Sequence, residues 1–204
     1  MHTDAIDRKL KVSNRKRKLI RGVGFNDADY VVQPIINGKN KVCPFYSRWI
    51  AMLNRCYSLK YQKDKPTYSE CSVSDDWLTF SNFRKWMKSQ DWAGKDLDKD
   101  LLVQGNKLYS EDTCLFIDPK INNLISSGMN IKRKTMVGAR LTKSGKYESS
   151  CTYNDQYHHI GTFSKEIDAH NAYQEFKIEL IKLIASSQPE PIKSALLRYE
   201  IPEK

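Results

Sequence analysis

Histidine and cysteine are the side chains from which catalytic and metal sites are most often built, and this chain spreads them thinly. Its four histidines are His2, His158, His159 and His170, so no imidazole lies between positions 3 and 157. His158 and His159 adjoin in a stretch that reads as a strand. Successive strand residues point to opposite faces, so the two do not share a metal. Five cysteines (Cys43, Cys56, Cys71, Cys114 and Cys151) are widely spaced and contain no C-x-x-C pair. That pattern argues against a disulfide framework or a ribbon-type zinc site and for a reducing, cytoplasmic setting. No G-x-x-x-x-G-K phosphate loop, H-E-x-x-H zinc helix or G-x-S-x-G nucleophile elbow is present.

Cations are the chemistry the chain has in quantity. Lysine and arginine number 34 against 24 acidic residues, a formal charge of +10. The excess sits at the ends. Residues 1–22 hold eight basic and two acidic residues, including the run Arg15-Lys16-Arg17-Lys18, and Lys132-Arg133-Lys134 forms a second cluster. Such asymmetry points to a polyanion, most often nucleic acid, because each phosphate neutralised releases condensed counterions. A membrane is not expected as partner. The longest stretch without Asp, Glu, Lys or Arg is 121–131, far short of the roughly 20 apolar residues a spanning helix needs. The N-terminus shows no apolar signal region, which argues against secretion.

The elements that must position these groups follow from periodicity. Residues 1–22 are basic with few apolar anchors and are expected to stay disordered until a partner is met. Phe45, Trp49, Met52 and Leu53 recur at helical spacing, as do Trp77, Phe80, Phe83, Trp86 and Met87, with Thr79 as the expected cap of the second helix. The clustered tryptophans are expected in the core. Leu97–Val103 and Cys114–Ile117 read as strands around a Gly105-Asn106 turn, and Asp118-Pro119 opens a helix, giving a ββα unit. The glycine-containing basic segment from Ser126 to Lys134 is the expected domain boundary.

Beyond it, three strands are expected at Val137–Leu141, Tyr147–Tyr153 and Tyr157–Phe163. A helix capped by Ser164 should follow, its apolar stripe being Ala169, Ala172, Tyr173, Phe176 and Leu180. Alternation puts Tyr147, Ser149, Cys151 and Tyr153 on the face that packs against this helix. Glu148, Ser150 and Thr152 are left on the other face, free to meet a partner.

Val137-Gly138-Ala139-Arg140, Ser144-Gly145-Lys146-Tyr147, His159-Ile160-Gly161-Thr162-Phe163 and Ala169-x-x-Ala172-Tyr173 together resemble an AP2-type DNA-binding domain over about residues 135–185. The resemblance implies that the exposed sheet face reads DNA, with Arg140, Thr142, Ser144, Lys146, Ser150, Thr152, Tyr157 and His159 as contacts. The chain departs from plant members in having fewer arginines and no tryptophans there.

The ββα stretch, with Leu97-Asp98-Lys99-Asp100, Gly105-Asn106-Lys107, Cys114-Leu115-Phe116-Ile117 and Asn122-Asn123, resembles an HNH nuclease core. Phage homing endonucleases of that family often carry an AP2-type domain C-terminal to the core, which is the order here. The resemblance implies one divalent metal, Mg²⁺ or Mn²⁺, held by Asp98 and by Asn122 or Asn123, with Asn123 also in the catalytic set. Lys99 stands where the family places its general-base histidine. Lysine is protonated at neutral pH unless burial or nearby cations depress its pKa. Lys99 is then a phosphate-holding cation, or another group is the base, or the site is inactive.

The expectation is an α+β protein. Its parts are a basic arm (1–22), a helical plus ββα HNH-like domain (23–128), a three-stranded antiparallel sheet with one helix (135–187, AP2-like) and a C-terminal tail (188–204). The function implied is that of a phage-type DNA-binding protein and metal-dependent DNA endonuclease of the host cytoplasm. One alternative is a catalytically inactive DNA-binding or regulatory protein on the same scaffold. Another is a phage protein whose basic arm binds RNA or a host complex.

Overall fold

The computed structural model describes residues 17–126 and 134–201, which adopt an α+β fold. In chain order the elements are β1 (Ile35–Ile36), β2 (Lys39–Asn40), α1 (Pro44–Tyr57), α2 (Leu59–Asp64), β3 (Ser72–Val73), α3 (Phe80–Lys88), β4 (Asp96–Asp98) and β5 (Leu108–Tyr109). They continue with β6 (Leu115–Ile117), α4 (Pro119–Ser126), β7 (Ala139–Leu141), β8 (Tyr147–Tyr153), β9 (Gln156–Phe163), α5 (Glu166–Ala185) and α6 (Ile192–Leu197). The described residues group into two compact units, 17–93 with 105–116, and 94–104 with 117–126 and 134–201. Segment 94–104 and helix α4, expected within the middle domain, thus belong to the same unit as the C-terminal sheet. The expected boundary falls on 127–133, and most of the expected arm on 1–16; both lie outside the described residues.

The first unit is built on aromatic side chains. Helices α1 and α3 face each other through Trp49, Met52, Leu53, Phe80, Phe83 and Met87, all fully or nearly fully buried. Trp49 Nε1 donates to the Trp77 carbonyl at 2.7 Å, so the one polar atom of that buried ring is satisfied. Trp77 meets Phe83 edge-on at 5.1 Å, and Trp86 stacks on Phe116 at 5.5 Å. The cap of α3 differs from expectation. Thr79 makes no side-chain capping bond, and Asp27 instead accepts from the Ser81 N–H at 2.9 Å. Residues 17–22, expected in the arm, are tied in: Arg17 donates to the Asn26 carbonyl and Arg21 to Asn54 Oδ1, each at 2.6 Å.

In the second unit, β7, β8 and β9 form an antiparallel sheet in that order. Asn154 and Asp155 both take positive φ, the two-residue hairpin geometry that suits the twist of the strands they join. Opposite Ser149 the register slips. Ser149 pairs with Gly161 and Ser150 with His159, so β9 carries a bulge at Ile160. Ser149 and Cys151 are buried beneath α5, as alternation requires. The buried stripe of α5 runs at four-residue spacing through Ala169, Tyr173, Lys177, Ile181 and Ala185, with His170 beside it. Ala172, Phe176 and Leu180 are only half-buried. Ser164 does not cap this helix: its N-cap residue is Lys165, without a side-chain bond, while the Glu166 carboxylate accepts from the Met136 N–H. The expected C-terminal tail contains α6, which packs on α5 and buries Ile192, Ala195 and Leu196.

Gly138 is the tightest point of this packing. Its φ is +78°, and a Cβ there would lie 2.0 Å from Cγ of Tyr173. Gly138→Ala should therefore destabilise the second unit by about 2–4 kcal/mol, combining left-handed backbone strain with overpacking. Equilibrium denaturation checks this, and a loss below about 1 kcal/mol would show that the Tyr173 ring moves aside freely.

Candidate nucleic-acid interface and the Asp98 turn

The exposed face of the sheet is organised by one carboxylate. Cross-strand register sets Arg140 on β7 and Thr162 on β9 opposite Glu148 on β8, Ser150 opposite His159, and Thr152 opposite Tyr157. The Glu148 carboxylate accepts from Arg140 Nη2 on one oxygen and from the Tyr157 hydroxyl on the other, with His159 Nδ1 3.7 Å away. The Tyr157 and Arg140 hydrogen bonds hold the Glu148 pKa below the ordinary carboxylate range, and the hydrogen bond to Glu148 together with its charge raises that of Arg140. Arg140 remains 74% exposed. Its guanidinium is thus oriented by the sheet yet open to a ligand.

The structure brings only some of the expected DNA contacts together. Arg140, Ser150, Thr152, Tyr157 and His159 share this face. Thr142, Ser144 and Lys146 lie at its end, in the turn between β7 and β8. There the Thr142 hydroxyl donates to the Lys146 carbonyl at 2.8 Å and pairs with the Ser144 hydroxyl at 3.0 Å. These hydroxyls hold the turn, while Ser144 and Lys146 themselves are exposed. His158 turns the other way, its ring 5.3 Å from Phe176 of α5. Glu148, the hub, was not singled out from sequence; its signal was its place on the exposed face directly across from Arg140.

The expected metal set is arranged differently. Asp98 Oδ1 accepts from the backbone N–H of Asp100 at 2.9 Å and of Leu101 at 2.7 Å, closing a tight turn after β4. Burial raises the Asp98 pKa, opposed mainly by the Leu101 N–H bond. Lys99 is 5% exposed and its Nζ lies 2.6 Å from Asp100 Oδ1. Asn122 on α4 donates to Asp96 Oδ2 at 3.3 Å, and Asn123 is exposed. Asp96 and Asp98 lie two residues apart on β4 and so share one face. A hard divalent cation takes oxygen ligands, and two carboxylates with an amide supply that chemistry. As they stand, Asp98 Oδ1 is engaged by two backbone N–H groups, Asn122 uses its amide N–H rather than its oxygen on Asp96, and a buried lysine adjoins Asp98.

The C-terminal segment borders this turn. The Tyr199 hydroxyl donates to the Ile125 carbonyl of α4 at 2.7 Å. Burial, with smaller contributions from Tyr173 and the Asp98 and Asp100 carboxylates, raises its pKa. Gln104 Nε2 donates to the Glu200 carbonyl and the Glu200 N–H returns to Gln104 Oε1, at 2.8 and 2.9 Å. Among the described residues, no group of three or more His, Cys, Asp or Glu is placed to hold a metal, and no helix is long and apolar enough to cross a membrane. No protein-family model, curated protein or solved structure matches the chain.

A raised carboxyl pKa gives a signed pH dependence. The folded state binds the Asp98 proton more tightly than the unfolded chain does. Its contribution is therefore fully present at acid pH and is lost as pH rises through the folded pKa. Asp98→Asn keeps an oxygen acceptor for both N–H groups and removes the buried charge. It should melt at or above the wild-type temperature at neutral pH, with a smaller loss between acid and neutral pH. Asp98→Ala should lose roughly 1–3 kcal/mol at every pH, because two turn N–H groups lose their acceptor. Thermal melts across the acid-to-neutral range check both, and equal destabilisation by Asn and Ala would refute the turn role.

Proposed function

We propose that this chain binds double-stranded DNA, with the exposed face of the β7–β8–β9 sheet as the reading surface and lysines and arginines elsewhere as phosphate contacts. The observation that carries the reading is the uncovered polar face on which Arg140, Tyr157 and His159 converge on Glu148. A β-sheet face of this width can enter the major groove. An arginine held by a carboxylate has lost rotamer freedom before binding, and its remaining N–H groups match the acceptors O6 and N7 of guanine. Glu148 can accept from a cytosine amino group. Arg140 and Glu148 nearly cancel in charge, so this face suits base readout better than phosphate attraction. The formal +10 of the chain supplies the latter. This reading goes with the expected AP2-type resemblance and places the protein with DNA in the cytoplasm, that of the host if phage-encoded.

Metal-dependent cleavage of the bound DNA, as in HNH homing endonucleases, is the second reading. It is favoured by Asp96, Asp98 and Asn122 on β4 and α4. Asp98 and Asn122 would hold Mg²⁺ or Mn²⁺, which when bound stabilises charge on a leaving oxygen. Lys99, paired with Asp100, would serve as a phosphate-holding cation. Without cleavage the protein is a DNA-binding regulator on this scaffold.

Fluorescence anisotropy with labelled duplexes tests the first reading. Arg140→Ala should reduce discrimination between preferred and random sequence by about 1–3 kcal/mol while leaving the salt slope unchanged. An undiminished preference would remove Arg140 as a reader. Plasmid incubated with Mg²⁺ or Mn²⁺ separates the second reading from the first. Nicking or linearisation that Asp98→Asn abolishes without loss of stability supports cleavage; intact plasmid leaves DNA binding alone.

A further inference from the structure

Helix α3 has two faces. Phe80, Phe83, Trp86 and Met87 face the core, and Ser81, Arg84, Lys85, Lys88 and Ser89 line a surface concavity of about 490 Å³. A polar outer face on an amphipathic helix is ordinary, but three features set this one apart. None of its three cations makes an ion pair among the described residues. Asp27, which contacts this helix, has its Oδ1 occupied at the helix N-terminus by the Ser81 N–H. And Arg84 is fixed in place: its guanidinium lies 4.7 Å over the Tyr30 ring and 5.9 Å from the centre of Phe45, with a buried Nε that has no acceptor among the described residues. Lys88 Nζ lies 5.9 Å over the same Phe45 ring.

An arginine held over an aromatic ring, with a buried Nε–H unpaired among the described residues and two lysines beside it, is equipped for an anion with several acceptor oxygens. The row is also long. From Ser81 to Ser89 it extends about 12 Å along the helix, where a single duplex strand presents a phosphate about every 3.4 Å of axis. The concavity is open rather than enclosed, which favours a continuing backbone over a small ligand.

We propose that the α3 concavity is a phosphate-backbone groove for double-stranded DNA, a contact on the first unit additional to the sheet on the second. The inference rests on the DNA-binding reading above and assigns part of its electrostatic component to Arg84, Lys85 and Lys88.

The test uses the full chain and a labelled duplex between about 50 and 200 mM salt. Lys85→Glu with Lys88→Glu should weaken binding at least about tenfold and lower the slope of log affinity against log salt by roughly two. Lys60→Glu with Lys63→Glu, on exposed positions of α2, changes net charge equally and should stay within about threefold of wild type. Basic residues also complement the carbonyl end of a helix. The neutral pair Lys85→Gln with Lys88→Gln therefore repeats the measurement if the reversed pair misfolds, with the same direction at smaller amplitude. Equal losses in the α2 and α3 variants, or an unchanged salt slope, would overturn the groove while wild-type DNA binding stands. Absent wild-type binding at the lowest salt would overturn the DNA reading itself. Displacement of DNA by inorganic phosphate at matched ionic strength would reassign the groove to a free anion. Tighter binding of single-stranded RNA than of duplex would reassign it to RNA.

Discussion

A three-stranded sheet with one long helix has two faces and a cover for only one of them. Everything in the second unit follows from how the chain meets that constraint. Helix α5 takes the face carrying Ser149 and Cys151 and approaches closely because Gly138 has no side chain where the Tyr173 ring must lie. The opposite face is left to polar side chains, and these cannot be placed independently. Glu148 sits near the start of the middle strand, flanked on both sides by its neighbours, where an isolated carboxylate would be partly desolvated, and it is 14% exposed. Arg140 from one neighbouring strand and Tyr157 from the other satisfy it. The carboxylate thereby links all three strands on the uncovered side, as α5 links them on the covered side.

That arrangement separates two electrostatic tasks that a basic protein could have merged. A face whose arginine is matched by a glutamate attracts phosphate weakly but holds its donors in fixed directions, which is what discrimination among bases requires. Long-range attraction needs unpaired cations, and those stand elsewhere. On α3 the three cations Arg84, Lys85 and Lys88 have no carboxylate partner among the described residues. The acidic residues nearby serve turns and caps rather than ion pairs with these cations. Asp27 caps α3, Asp98 closes the turn after β4, and Asp118 accepts from the Lys120 N–H at the start of α4.

What the sequence revealed and what it hid divide along the range of the interactions. The periodicities of α1, α3 and α5, the alternation along β8 and the Asp118-Pro119 start of α4 are local, and each was legible. The buried tryptophans 49, 77 and 86 were legible for the same reason. Contacts across long separations were not. Nothing near Thr79 announces that Asp27, more than fifty residues earlier, caps the helix. Lys177 occupies the middle of the buried α5 stripe, where an aliphatic residue would be expected; its Nζ lies 5.6 Å from the Tyr173 ring centre. The bulge at Ile160 brings Thr162 rather than Gly161 opposite Glu148, without any turn residue to mark it. Likewise α6 follows a Pro-Glu-Pro segment that reads as a tail, and only its packing on α5 gives it a place.

The same distinction bears on the Asp98 motif. An Asp-Lys-Asp triplet before a turn is ambiguous in sequence, because the residues that hold a metal also close turns and pair with lysine. Here the local role is filled: Asp98 binds two backbone N–H groups and Asp100 binds Lys99. A metal held by Asp98 would lie beside the buried Lys99, which pairs with Asp100, and would compete with two backbone N–H groups for Asp98 Oδ1. Cleavage chemistry would therefore place a metal at a turn already closed by two N–H bonds to Asp98 and flanked by a buried lysine. The proposed DNA binding by the sheet would use groups already placed on its exposed face. Arg140 is oriented by Glu148 yet exposed, whereas Asp98 is engaged within its turn, and that difference in availability is the physical reason to rank recognition ahead of catalysis.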